Sequence, residues 1–214
     1  MGGDMGGVLV GLEREKRTGV LRAGGDGAFR LDRGAVVHAA SPHAPAPAPG
    51  SDPELTALIA IFDAAYFLLG SAAEPVFTEG SRSRRPQRIA VPTLLHEQRR
   101  RRARLDAAWP DAAVDTAPVV PVRRVRRQRV ILTGAQAELL LNADGRRTPG
   151  RLARDLGRTA FGCLLGVRGL AAAGLIETGP PADPGAPPDE LPVEWAAADH
   201  ELLDRLRTAL VELG

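Results

Sequence analysis

The chain has 214 residues, enough for one domain or two small ones, and it is 44% hydrophobic but only 4% aromatic, so any core is built from Leu, Val and Ala. One cysteine, Cys163, excludes an intrachain disulfide and favours a reducing cytoplasm; no apolar run approaches the roughly 20 residues that span a bilayer. The net charge of +2 hides a segregation: 14 Arg against 4 acids over residues 81–129, and 8 acids against 2 Arg over residues 183–214, a basic centre and an acidic tail.

The N-terminal "MGGDMGGVLV" has neither a basic n-region nor a cleavable apolar core, so no signal peptide is expected. "VLVGLEREK" places Val8, Leu9, Val10 and Leu12 together and reads as a short helix or the end of one. "RTGVLRAGGDGAFRLDRGAVVHAAS" is the clearest β signal. Its Val- and Leu-rich runs Gly19–Ala23, Ala28–Asp32 and Ala35–Ala40 are separated by "GGDG" and "RG". These supply the positive φ angles of tight hairpins, so a three-stranded meander is expected.

"SPHAPAPAPG" is an extended Pro/Ala loop. A helix then starts at Asp52 as N-cap with Pro53 and Glu54 in its first turn, and Leu55, Leu58, Ile59, Phe62 and Ala65 follow at helical spacing. "YFLLG" and "PVFTEG" read as a closing hairpin. "VPTLLHEQRRRRARLDAAW" reads as an amphipathic helix with Leu94, Leu95, Gln98, Leu105 and Trp109 inward and its arginines in solvent. "PDAAVDTAPVVPVRRVRRQR" is Pro-interrupted and reads as a linker.

On these features residues 7–109 resemble the bacterial PATAN family. The resemblance rests on Arg17-Thr18-Gly19-Val20-Leu21, on Gly34-Ala35-Val36-Val37-His38-Ala39, on "ELTALIAIFDAAYF", on "VFTEG" and on "PTLLHEQRRRRARLDAAW". The chain departs from the family in its shortened N-terminal helix and its inserted Pro/Ala loop. The resemblance implies a regulatory or protein-interaction module without catalytic residues.

The stretch after residue 130 outlines a winged helix-turn-helix. "TGAQAELLLNA" is a first helix with Thr133 as N-cap and Leu139, Leu140 and Leu141 inward. A second runs from Thr148 and Pro149 to Gly157, a third is "TAFGCLLGVRGLAAAG" ending at Gly174, and "LIET" begins a wing. Such units read bases through polar side chains on the outer face of the last helix. At 100° per residue Ala160, Leu164, Val167 and Ala171 face the core, while the other face holds Gly162, Gly166 and Gly169 and no residue suited to a base edge. Three mid-helix glycines cost about 1 kcal/mol each, which points to close approach by a protein partner or to an unused face.

The expected fold class is therefore α+β: a small antiparallel meander packed with helices (1–110), a Pro/Arg-rich linker (111–129), a winged-helix-like domain (130–180), a Pro-rich linker (181–192) and an acidic amphipathic helix (193–214). No catalytic constellation, cofactor motif or metal-ligand spacing is found; the four histidines lie far apart, and Cys163 reads as a small core residue. The function expected is a cytoplasmic bacterial regulator, a DNA-binding transcriptional regulator gripping the phosphate backbone. Arg123, Arg124, Arg126, Arg127 and Arg129 of the arm, with Arg147, Arg151, Arg154, Arg158 and Arg168, would make those contacts. The alternative is a non-enzymatic protein–protein adaptor or dimerisation module in a signalling system, with Gly162, Gly166 and Gly169 at its interface. An Arg-rich composition also arises from GC-rich coding sequence with no nucleic-acid role.

Overall fold

Turn chemistry organises the first half of the chain in the computed structural model, which describes residues 4–45, 52–82, 87–123 and 129–177. Strands β1 (Gly19–Ala23), β2 (Ala28–Asp32) and β3 (Ala35–Ala40) form the expected antiparallel meander. Gly34 joins β2 to β3 at φ +81°, and a Cβ there would collide with the backbone of Glu13, so both its conformation and its surroundings require glycine. Strand β4 (Pro75–Glu79) adds beside β1, giving the order β3-β2-β1-β4.

Period-two alternation turns Leu21, Phe29, Leu31 and Val36 to one face. Helices α1 (Met5–Arg14), α2 (Pro53–Leu69) and α3 (Val91–Ala108) cover that face with Met5, Leu9, Ile61, Leu68, Val91 and Leu94. Asp52 caps α2 as expected, accepting from the amides of Glu54 and Leu55.

"YFLLG" is a correction. Tyr66 to Leu69 continue α2, because Ala64, Ala65 and Leu68 keep the helical period on the buried face. Only "PVFTE" is a strand, and its partner β1 lies far back in the sequence.

Three threonines start the helices of the second half. Thr133, Thr148 and Thr159 cap α4 (Gly134–Asn142), α5 (Pro149–Asp155) and α6 (Ala160–Ala172), with a full capping box between Thr133 and Gln136. Gly157 and Gly174 leave the last two helices at φ +62° and +68°. Strand β6 (Ile176–Glu177) pairs antiparallel with β5 (Val120–Pro121).

The stretch read as a linker therefore carries structure. A 3₁₀ turn (Ala112–Asp115) and β5 bring Val114 and Val119 into a second core with Leu139, Leu152, Val167, Leu170 and Ile176. Leu141 is 86% exposed; three consecutive helical residues sweep about 200° of arc, so Leu139, Leu140 and Leu141 cannot all face inward.

The architecture is thus α+β, with six α-helices and two small antiparallel sheets among the described residues. None of the described helices is long and apolar enough to cross a membrane. The expected Pro-rich linker (181–192) and acidic helix (193–214) lie outside the described residues, as do Arg124, Arg126 and Arg127 of the arm.

Candidate functional site

The helix expected to enter a DNA groove, α6, is the most enclosed in the second half. Eight of its 13 residues are buried, and α3, α4, α5 and the 3₁₀ turn all pack on it. A helix apolar on nearly all sides, with its one charge buried, belongs to an interior. Two polar clusters tie it to the elements of the first half.

The first cluster is at its N-terminus. Asp63 of α2 is 1% exposed. Its Oδ2 accepts from the Ala160 amide at 2.6 Å and its Oδ1 from the Phe161 amide at 3.4 Å, while Arg101 Nη1 donates to Oδ1 at 2.8 Å. The first amides of a helix have no partner within it and carry the positive end of its dipole, so a buried carboxylate from another helix caps α6 a second time. Burial pushes the Asp63 carboxyl up, and the Arg101 charge with these hydrogen bonds pulls it back. Arg101 also donates Nε to Glu97 at 2.9 Å and lies 4.6 Å over the Phe161 ring.

The second cluster is at mid-helix. Arg168, counted above with the phosphate-gripping arginines, is 2% exposed. Its Nε and Nη2 donate to the two carboxylate oxygens of Asp115 at 2.8 and 2.7 Å, and its Nη1 to Asp106 at 3.1 Å and to the Trp109 carbonyl at 2.7 Å. Its charge is neutralised inside the fold, so contact with phosphate is corrected to an internal fork. The hydrogen bonds from Arg168 to Asp115 raise its already high pKa further.

The glycine stripe is also accounted for inside the chain. A Cβ on Gly166 would overlap Leu139 Cδ1, and one on Gly169 would press on the Gln136 amide that closes the capping box of α4. The close approach that these glycines permit is to α4. Gly162 is exposed and sits against the Thr159 hydroxyl that caps the helix.

The remaining arginines do not converge on α6. Arg158 pairs with Glu138 at 3.0 Å, Arg147 with Asp144 at 3.2 Å and Asp155 at 3.6 Å, and Arg154 donates to the Pro42 carbonyl at 3.1 Å. Arg123, Arg129 and Arg151 are exposed. Cys163 is buried, and burial followed by the Asp63 charge pushes its thiol up to about 11, which withholds the thiolate that a nucleophile needs.

Asp63 and Arg101 escaped the sequence reading. Their one signal was that Asp63 is the single charge beyond the first turn in the 17 residues of α2. Comparison of the chain with protein-family models, with curated proteins and with solved structures finds no match.

Proposed function

We propose that this chain is a non-enzymatic regulatory protein acting through protein contact, with its helix-turn-helix-like layer α4–α6 as a docking surface. The observation that carries this reading is the enclosure of α6. A base-reading helix must offer its outer face to a groove, whereas this face meets Leu139 and Gln136 of α4, and its mid-helix arginine is held by Asp106 and Asp115. The most exposed large apolar side chains among the described residues are Ile131, just before α4, at 85% and Leu141, in its last turn, at 86%. Large apolar side chains left this far in water are candidate contact points. The PATAN resemblance supports the same class of role, and the raised pKa of Cys163 supports the absence of thiol chemistry.

The test is association by the full chain and by an Ile131→Asp/Leu141→Asp variant, measured by sedimentation and by capture from the native host. The reading expects association with a second copy or a partner, weakened about tenfold or more in the variant at an unchanged melting temperature. Equal association of both proteins would overturn it.

A second reading, a transcriptional regulator that contacts nucleic-acid phosphates, is favoured by the exposed Arg123, Arg129 and Arg151 and by the five arginines of residues 123–129. Binding of this kind is independent of sequence and falls steeply with salt. Fluorescence anisotropy with mixed duplexes tests it; no salt-dependent binding at low ionic strength would sink it.

A further inference from the structure

A cleft of about 270 Å³ opens where α2, α3, the 3₁₀ turn and α6 meet, with Tyr66, Phe67, Gln98, Arg102 and Leu164 among its walls. Two acids and two arginines stand around it, and three of the four are committed to one another. Asp115 gives both carboxylate oxygens to Arg168, and Asp106 gives one. Arg102 precedes Asp106 by four residues on α3, the spacing at which opposite charges pair on a helix, yet Asp106 is turned to Arg168. Arg102 has no hydrogen-bond or ion-pair partner among the described residues, and neither has Gln98, one turn earlier, nor the Tyr66 hydroxyl. One cationic and two neutral donors therefore line the cleft beside the apolar side chains of Phe67 and Leu164, with Thr116 and the Asp106–Arg168–Asp115 cluster completing the wall.

We propose that this cleft binds a small organic monocarboxylate with an apolar body, the carboxylate on Arg102, Gln98 and Tyr66 and the body against Phe67 and Leu164. A guanidinium fork matches the two oxygens of a carboxylate. Burial, then the Asp115 charge, holds the Tyr66 pKa above its ordinary value, so the phenol stays a donor. The acids select against a dianion, because a phosphate group would bring its second charge beside Asp106 and Asp115. The volume lies just below the range of roughly 300–1,000 Å³ usual for small-molecule clefts, which restricts the body to about a single ring. This site goes beyond the docking role and does not depend on how α6 is used.

Tyr66 is the only tyrosine in the chain, so incorporating 3-fluorotyrosine places one ¹⁹F resonance in the cleft. The full chain is titrated with sodium benzoate, sodium acetate, benzyl alcohol and inorganic phosphate. The expected result is a saturable shift with benzoate, with acetate and benzyl alcohol each binding about tenfold more weakly or worse. Arg102→Gln, at an exposed position, is expected to weaken benzoate by about tenfold or more at an unchanged melting temperature. No saturable shift with benzoate, equal affinity in the variant, benzyl alcohol binding as well as benzoate, or phosphate displacing it would each overturn the proposal.

Discussion

Replacing Arg168 by Met removes the guanidinium fork while keeping a side chain of similar length and apolar stem. Four hydrogen bonds are lost, all between 2.7 and 3.1 Å. Asp115, with 17% of its side chain exposed, is left as an unneutralised carboxylate, whereas Asp106, at 53%, returns to solvent. Breaking a buried pair by removing one partner costs about 3–5 kcal/mol, and an exposed partner contributes little. A loss of about 3 kcal/mol is therefore expected, a large part of the roughly 5–15 kcal/mol that stabilises a folded domain. With a urea m-value of about 2 kcal/mol/M, the midpoint falls by about 1.5 M. Urea unfolding followed by circular dichroism measures it, and Arg168→Met/Asp115→Asn should recover part of the loss because the stranded charge is gone. A midpoint shift under about 0.3 M, together with weaker nucleic-acid binding, would refute the internal fork and return Arg168 to the surface.

Gly166→Leu should destabilise the fold by about 2–3 kcal/mol through overpacking on Leu139, with no partner present; an unchanged urea midpoint would contradict the packing of α4 on α6. Cys163, buried and with its thiol near 11, should react with iodoacetamide at pH 8 about 100-fold more slowly in the native chain than in urea; equal rates would contradict its burial. Arg88 donates to Asp32 at 2.7 Å and holds that carboxyl below the usual range. A depressed folded-state pKa contributes stability that is complete above the ordinary carboxylate pKa and is lost as pH falls through the folded value. Arg88→Gln should accordingly move the acid-unfolding midpoint to higher pH, and an unchanged midpoint in a circular-dichroism titration would count against the pair.

The meander was legible because its turns need residues that few positions share: Gly34 declares itself by composition, and the bounds of β1, β2 and β3 follow. The three threonine caps and Gly157 and Gly174 were legible for the same local reason. At "YFLL" the local cue misled, since aromatic and branched residues favour strands while the packing of Leu68 holds the helix. Periodicity correctly turned Ala160, Leu164, Val167 and Ala171 inward, but it cannot say that α4 covers the opposite face. The polar ties were invisible for a further reason. Asp63 meets Ala160 across 97 positions and Arg168 meets Asp115 across 53, and no spacing rule links residues so far apart. An arginine on a helix reads as solvated until its acid is found.

Whether α6 is an interior helix or a reader of bases is decided by presenting the full chain with a pool of randomised duplex DNA at low salt and sequencing the bound and unbound fractions. Any bound fraction should have the same sequence composition as the unbound one and vanish as salt rises. Reproducible enrichment of a sequence motif in the bound fraction would contradict an interior α6.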